Sequence, residues 1–229
     1  MIAQVVIHER TSTCVSNNGF CPAWIRRHIG DYVDPLVRHI ELVVVAVAIG
    51  FVIAFGLALI AHRQRWLIGP VTGITGVLFT IPSLALFAIL VTSPLGFGFV
   101  TGVIPLILYT LQIIFRNVIT GLADIPEETR DAARGMGLTD HQLLWRVEIP
   151  LALPAIIAGV RIATVTTVAL ATLAFFGGAG GLGAAINADI DFKSNVAVAG
   201  GLAILLALVL DVLLLELERW RTPWRRARA

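Results

Sequence analysis

Residues 131–154 read DAARGMGLTDHQLLWRVEIPLALP, a charged and glycine-punctuated stretch inside a chain that is otherwise strongly apolar. Of the 229 residues, 57% are hydrophobic and only 14% are charged, whereas soluble domains average about 45–50% and about 25%. Both departures indicate a protein that sits in a lipid bilayer as one compact domain. The net charge of +2 is too small to indicate a nucleic-acid partner.

The apolar stretches on both sides of this segment are long enough to cross a membrane, which takes about 20 helical residues. Five stretches qualify: 42–60, 70–91, 99–119, 155–176 and 196–217. Prolines and glycines inside them, such as Pro82 and Gly73, predict helices that pack on partners, because neighbouring helices can satisfy the freed backbone groups. The sequence therefore predicts an all-α membrane domain over residues 36–218.

The distribution of basic residues predicts the orientation, because cytoplasmic loops carry an excess of arginine and lysine. If residues 131–154 are cytoplasmic, eleven basic residues lie on that side and five lie outside, with Arg161 inside a span. The eleven are Arg63, Arg65, Arg116, Arg130, Arg134, Arg146, Arg219, Arg221, Arg225, Arg226 and Arg228, and the five are Arg10, Arg26, Arg27, Arg38 and Lys193. Three tryptophans lie near cytoplasmic span ends, where indole rings suit the interface: Trp66, Trp220 and Trp224. We therefore expect an extracytoplasmic tail (1–35) and a basic cytoplasmic tail (219–229).

The connection between the third and fourth spans, residues 120–154, is predicted to hold two short helices. Asp124 or Ile125 is placed to cap the first one, with Pro126 in its opening turn, where the missing N–H does no harm. Leu143, Leu144 and Val147 give the second helix an apolar stripe.

Turn signals separate the two helices. Gly135 or Gly137 can end the first helix in a left-handed conformation. Thr139 followed three residues later by Gln142 is the pattern of a capping box that starts the second. We expect Pro150 to break this second helix before the fourth span.

The first of these helices has the composition of a docking surface. Ala132 and Ala133 would let its backbone approach another surface closely, and three acidic residues flank them: Glu127, Glu128 and Asp131. The alternative is a surface loop that only connects two spans. Ordered loops of this length usually carry function, which favours docking.

The segment resembles the EAA signature of ABC-importer permeases, in which Glu-Ala-Ala is followed by three residues, Gly, nine residues and Ile-x-Leu-Pro. The same spacing is occupied here by Asp131, Ala132, Ala133, Gly137, Val147, Glu148, Ile149 and Pro150. Asp for Glu, Val for Ile and Ile for Leu are the departures, and each keeps charge or shape. Four further stretches resemble the osmoprotectant branch of these permeases: 80–87, 108–122, 157–165 and 180–183.

This resemblance implies an all-helical type I permease fold with five shared spans and cytoplasmic coupling helices, in a bacterial cell membrane. It implies a second permease subunit, identical or paralogous, a pair of cytoplasmic ATPases and an external solute-binding protein. It also implies import of glycine betaine, choline, carnitine or proline. Import of another small polar solute, or a role as a membrane assembly subunit outside this class, are the alternatives. The residues that would couple to the ATPase are Glu127, Glu128, Asp131, Ala132, Ala133 and Gly137, with Asp131 making a charged contact and Gly137 the turn.

The sequence carries no motif for chemistry of its own. A Walker A loop needs GxxxxGK[ST], and the only lysine, Lys193, follows Phe192 in DFKS. We therefore expect ATP hydrolysis on a separate chain. Neither HExxH, GxSxG nor a zinc quartet is present, so a transport subunit without enzyme activity, cofactor or metal is expected.

Three further features of the sequence stand out. Arg161 and Asp211 lie about six residues, about 9 Å, from the cytoplasmic ends of the fourth and fifth spans, so they either pair or snorkel separately. The run GGAGGLG at the outer end of the fourth span shapes an outer gate or is a flexible loop; its glycines are Gly177, Gly178, Gly180, Gly181 and Gly183. Cys14 and Cys21 form a disulfide if the tail lies outside the cytoplasm, or they are two free thiols.

Overall fold

A computed structural model describes residues 13–222, and within this range the chain forms eleven α-helices and no β-strand. The helices are α1 (Thr13–Ser16), α2 (Pro22–His28), α3 (Val33–Arg63), α4 (Ile68–Thr80), α5 (Ser83–Val91), α6 (Phe99–Ala123), α7 (Glu127–Gly135), α8 (Asp140–Leu143), α9 (Ile149–Ala171), α10 (Leu182–Ala188) and α11 (Lys193–Arg221). The ends of both predicted tails lie outside the described residues. So do these residues of the orientation argument: Arg10, Trp224, Arg225, Arg226 and Arg228.

Four helical runs in the described part of the chain are long and apolar enough to cross a membrane. They are Pro22–Arg63, Phe99–Ala123, Asp140–Ala171 and Lys193–Arg221. Three of them contain a predicted span and extend beyond it, because polar residues at the ends of an apolar stretch continue the helix into the interface. The run Asp140–Ala171 begins well before the predicted span 155–176 but ends before it does, and the chain continues there in the 3-10 turn Ala174–Gly177. The all-α membrane architecture predicted from the sequence is confirmed.

The second predicted span, 70–91, is not one continuous helix. It consists of α4 and α5, which are bent by 84° relative to each other. Ile81 and Pro82 between them have extended backbones, because a proline disfavours helical geometry in the preceding residue. The hydroxyl of Tyr109 donates a hydrogen bond to the Ile81 carbonyl that the break leaves without a helical partner.

Helix α6 lies at the centre of the bundle and packs against both α3 and α9. Close approach of these helices depends on glycine. A Cβ on Gly50 of α3 would lie 1.8 Å from the hydroxyl oxygen of Thr110, and a Cβ on Gly159 of α9 would lie 2.5 Å from the Cβ of Asn117. Small residues at such crossings are the usual means by which helices associate in lipid. The spans are therefore held together by backbone proximity.

The contacts divide the molecule into two ends. Helices α3 and α6 finish, and α9 begins, at the end that carries α7 and α8, which we call the α7–α8 end. The opposite end carries α1, α2, α10 and the loop 177–183. One apolar cluster fills each half, with Ala58 and Leu122 in the first and Leu42 and Ala174 in the second. The candidate docking segment thus sits on a well-packed base.

Candidate docking site

Helix α7 begins at Glu127, which is later than a cap at either Asp124 or Ile125 would place it. Pro126, with an extended backbone, occupies the cap position and no side chain caps the helix. Asp124 instead ends α6, where its N–H bonds to the Thr120 carbonyl. The prediction that Asp124 or Ile125 caps α7 is therefore wrong. Helix α6 continues beyond its apolar stretch to Ala123, so these two residues follow directly on the end of α6.

The end of α7 is a tight glycine turn. The N–H of Leu138 bonds to the carbonyl of Ala133 at 3.3 Å, and that of Gly137 bonds to Arg134 at 2.9 Å, which is the Schellman pattern. Gly137 has a φ of +83° and supplies the left-handed residue that this turn needs. Of the two glycines considered as the end of the helix, Gly137 adopts this conformation.

A capping box fixes the start of α8, as the sequence predicted. The N–H of Gln142 bonds to the Thr139 hydroxyl, and the Thr139 N–H bonds to the Gln142 side chain. Glycine turn and capping box follow each other directly. The angle between α7 and α8 is therefore set by local hydrogen bonds within a few residues.

Beneath α7 lies a buried ion network that connects it to three spans. Arg130 donates from Nε to a Glu148 oxygen at 2.7 Å and from a terminal nitrogen to the Leu122 carbonyl at 2.6 Å. The other Glu148 oxygen lies 3.1 Å from Nε2 of His62. Side chains of Arg130 and Glu148 are 9% and 6% exposed, so water screens this pair little. The network joins α7 to the ends of α3 and α6 and the beginning of α9.

The charges in this network stabilise each other. Burial opposes the charge of Arg130, but hydrogen bonds to Glu148 and Glu127 outweigh it and raise the pKa of the guanidinium above its ordinary value. The hydrogen bond from Arg130, supported by Arg134, lowers the pKa of Glu127 below its ordinary value. Both groups are charged at neutral pH, and α7 is held by paired charges.

The sequence pattern does not reveal this network. Glu148 occupies the variable position of the signature, and Arg130 enters only the count of basic residues. A carboxylate between two aliphatic residues, Val147 and Ile149, was the available signal, because such a group needs a buried partner. Its partner stands 18 residues away and His62 stands 86 residues away, so spacing along the chain did not reveal them.

The outer face of α7 is exposed. Asp131 is 68% exposed and lies 3.4 Å from Arg134, and Glu128, Ala132 and Met136 are exposed beside it. Met136 shows 74% of its surface. An apolar side chain and a carboxylate on one uncovered face are suited to contact another protein.

Ala133 differs from its predicted position on the contact face. It is 2% exposed and faces the interior of the protein. Ala133 lies three residues after the buried Arg130 and therefore on the same packed face of α7, whereas Ala132 is rotated about 100° away from it. Ala132 is the alanine of the outer face.

Pro150 does not break the helix that leads into the fourth span. The chain stays helical from α8 through a π turn, Leu144–Glu148, into α9. In that turn the N–H of Ile149 bonds to the carbonyl of Leu144, five residues back. The wider turn accommodates the proline that an uninterrupted α-helix would exclude. Helices α8 and α9 are therefore parts of one continuous helical run.

A cavity of about 700 Å³ opens beside the network, between α7, α8 and the end of α3. Its lining includes Glu127, Arg130 and Glu148 of the network, and Arg63 and Arg65 from the connection that follows α3. It is polar and open at one side of α7. The α7–α8 end therefore offers a projecting helix face and an adjoining depression.

At the opposite end, the glycine-rich loop is tightly held. Gly178, Gly180 and Gly181 have φ values near +80°. Arg38 of α3 donates to the Ala179 carbonyl at 3.0 Å, and the following residue, His39, accepts from the N–H of Leu182 and bonds to the Val168 carbonyl. The remaining two glycines, Gly177 and Gly183, pack against backbone. A flexible loop is the wrong description; whether this loop acts as an outer gate stays a prediction.

The structure brings Arg161 and Asp211 together. Two hydrogen bonds of 3.0 and 2.9 Å join the guanidinium to the carboxylate, between α9 and α11. Glu218, about two turns further along α11 on the same face, lies 3.6 Å from Arg161. Separate snorkelling of the two side chains does not occur in this arrangement, because each charge has its partner at the same depth.

Cys14 and Cys21 are joined by a disulfide. The enclosed segment rests on the beginning of α11, where the Cys21 N–H bonds to the Ser194 hydroxyl at 2.7 Å and Trp24 packs edge-on against Phe192. Residues 14–24 thus form a cap on the beginning of α11. The described residues contain no cluster of three or more metal-ligating side chains.

Comparison with known proteins agrees with this geometry. Residues 46–221 match the family described as binding-protein-dependent transport system inner membrane component. The osmoprotectant import permease protein OsmW of Salmonella typhimurium is 41% identical over 194 residues, which cover 81% of this chain and 89% of the relative. The glycine betaine/carnitine/choline transport system permease protein OpuCB of Bacillus subtilis is 34% identical and covers 81% of this chain and 86% of its own length.

A solved structure shows the same fold. The MetNI methionine ABC transporter in an inward-facing conformation aligns with a TM-score of 0.71 at 23% identity. The alignment covers 83% of this chain and 96% of that one.

Proposed function

The chain belongs to the family of binding-protein-dependent transport system inner membrane components, and we propose that it imports glycine betaine, choline, carnitine or proline. It is a multi-pass permease subunit of the inner membrane. The solutes named for its relatives, glycine betaine, carnitine and choline among them, support the substrate class. Proline comes from the resemblance seen in the sequence.

In the proposed assembly this chain forms one half of the pathway, with a second permease subunit forming the other. A pair of ATPases docks on the α7–α8 end, and an external binding protein delivers solute to the opposite end. The chain is oriented with its N-terminus outside and its C-terminus in the cytoplasm. The excess of arginine at the α7–α8 end and the disulfide at the opposite end support this orientation.

One observation carries the coupling role: α7 exposes Asp131 and Met136 on its outer face while Arg130 ties it to three spans from beneath. A force applied by the ATPase to the outer face would pass through Arg130 and Glu148 into α3, α6 and α9. Closure of the two ATPases around ATP would pull the two docking helices together and open the pathway outward. Hydrolysis would then reset it.

Solute uptake tests the substrate. Labelled glycine betaine, choline, carnitine and proline are supplied at high osmolarity to cells that carry or lack this chain. We expect uptake of at least one solute only where the chain is present. If uptake of none of the four depends on the chain, the osmoprotectant assignment fails while another small polar solute remains the substrate class.

Co-purification tests the docking role. Asp131→Lys and Gly137→Val variants are expected to retain less ATPase on a tagged permease than the wild type does. Asp124→Lys is the matched control, since Asp124 is exposed and acidic but lies outside α7. If the two variants retain as much ATPase as the wild type and the control, α7 is not the docking helix.

A further inference from the structure

The cavity beside α7 has two walls with different origins. Helices α7 and α8 form one wall, and the end of α3 with the 3-10 turn Arg65–Leu67 forms the other. That second wall belongs to the connection between α3 and α4, which the docking signature does not include. It reaches the same end of the molecule because His62 bonds to Glu148.

The acidic residues inside this cavity are largely neutralised from within the chain. Glu148 is bound by Arg130 and His62, and Glu127 is bound by Arg130 and Arg134. Asp140 is the remaining carboxylate of the lining. Negative charge in the cavity is therefore mostly compensated.

Arg63 and Arg65 are not compensated in this way. Both line the cavity and both are exposed, and neither forms an ion pair among residues 13–222. Two guanidinium groups at the rim of a concave, partly enclosed space raise the local positive potential and attract an anion. The planar fork of arginine suits a carboxylate in particular.

The position of these arginines favours a protein partner over the membrane surface. A basic side chain that only anchors a span would extend along the bilayer interface. The neighbouring Trp66, which is 71% exposed, is suited to that interfacial role. Arg63 and Arg65 instead share a cavity with α7, whose outer face carries the proposed ATPase contact. A partner seated on α7 would cover the cavity mouth.

We infer that Arg63 and Arg65 form a second docking point, at which an acidic side chain of the ATPase enters the cavity beside α7. This inference rests on the proposed function, because it names a further contact of the same partner. The permease would then hold the ATPase at two places, one on each wall of the cavity. The connection between α3 and α4 would move together with α7 during the transport cycle.

Site-directed cross-linking tests the contact. Arg65→Cys, Met136→Cys and Arg221→Cys variants are labelled with a benzophenone maleimide under non-reducing conditions, in which the Cys14–Cys21 disulfide does not react. The labelled permease is reconstituted with its ATPase in lipid and illuminated. Arg221 is the matched control, since it is an exposed arginine at the end of α11 that does not line the cavity.

We expect ATPase adducts from positions 65 and 136 and little from 221. An adduct from 136 without one from 65 overturns the second docking point and leaves the proposed function intact. Lipid adducts alone at 65, or equal ATPase yields at 65 and 221, overturn it as well. Absence of ATPase adducts from all three positions overturns both the inference and the proposed docking on α7.

Affinity measurements give a second readout. The double variant Arg63→Glu, Arg65→Glu is expected to bind the ATPase about tenfold more weakly, because each reversal removes a charge pair and adds repulsion. The variant's binding should depend less on salt than that of the wild type. Arg221→Glu should bind as the wild type does. Unchanged affinity and salt dependence in the double variant would contradict the inference.

Discussion

Replacing Glu148 with glutamine is expected to release α7 from the membrane domain without unfolding the spans. The change keeps the size of the side chain and one acceptor for Arg130, but it removes the charge that faces Arg130 at 2.7 Å and His62 at 3.1 Å. Arg130 keeps its bonds to Glu127 and to the Leu122 carbonyl. The loss therefore falls on the contacts that Glu148 makes with α7 and with the end of α3.

The magnitude follows from the burial of the pair. Breaking a buried ion pair by removing one partner costs about 3–5 kcal/mol. Glutamine still accepts one hydrogen bond and Arg130 keeps its other partners, so about 2 kcal/mol is the expected loss. At about 1.4 kcal/mol per factor of ten, the population of molecules with α7 detached rises about 30-fold.

Hydrogen–deuterium exchange of the purified permease measures this change. Backbone amides in the second half of α7 should exchange about 30-fold faster in Glu148→Gln, while those of α6 and α9 stay protected. Glu128→Gln is the matched control, because Glu128 is an exposed carboxylate on α7 that lies outside the network. In transport assays, Glu148→Gln should uncouple ATP hydrolysis from solute uptake.

Equal exchange rates of α7 in the wild type and in Glu148→Gln would show that the buried contact does not hold α7. An equal acceleration in Glu128→Gln would show the same, since the effect would then come from charge on α7 and not from the buried contact.

Three other changes give distinct outcomes. Gly137→Ala should destabilise the turn after α7 by about 1 kcal/mol, because residue 137 has a φ of +83°. A Cβ there meets no neighbouring atom, so the cost is backbone strain alone, and thermal unfolding measures it. Arg161→Asp and Asp211→Arg should each lower the melting temperature, and the double swap should recover most of the loss, because the pair joins α9 to α11 at one depth. Replacing Cys14 and Cys21 with serine should weaken the cap on α11 by about 2.5 kcal/mol, the loop-closure value for an eight-residue loop. Hydrogen–deuterium exchange in the cap and in the first turn of α11 measures this loss.

Controls separate these effects from general damage. Gly137→Asn should lose less stability than Gly137→Ala, since asparagine tolerates the left-handed region better, and equal losses would contradict the strain argument. A charge swap that rescues neither single variant would show that Arg161 and Asp211 do not act as a pair. If reduction of the wild-type disulfide leaves exchange in the cap unchanged, the disulfide does not brace the helix.

Local patterns along the chain determined much of this protein. Apolar length gave four of the five spans, since any helix in lipid must satisfy its own backbone. Gly137 and the Thr139–Gln142 box gave the turn between α7 and α8, because caps and left-handed glycines act over a few residues. The spacing of the signature gave the family.

Only the tertiary structure decided which residues face inward and which partners they meet. In the structure, Ala133 faces the interior and the second span is bent at Pro82. The helix continues past Pro150 because a π turn precedes it. Arg130 pairs with Glu127 three residues away, as helix spacing allows, but its second partner, Glu148, depends on where α9 begins relative to α7. Such pairing is set by the three-dimensional packing of the spans, and no periodic pattern of residues in the sequence reports that packing. For the same reason, the cavity that brings Arg63 and Arg65 beside the docking helix could not be read from spacing alone.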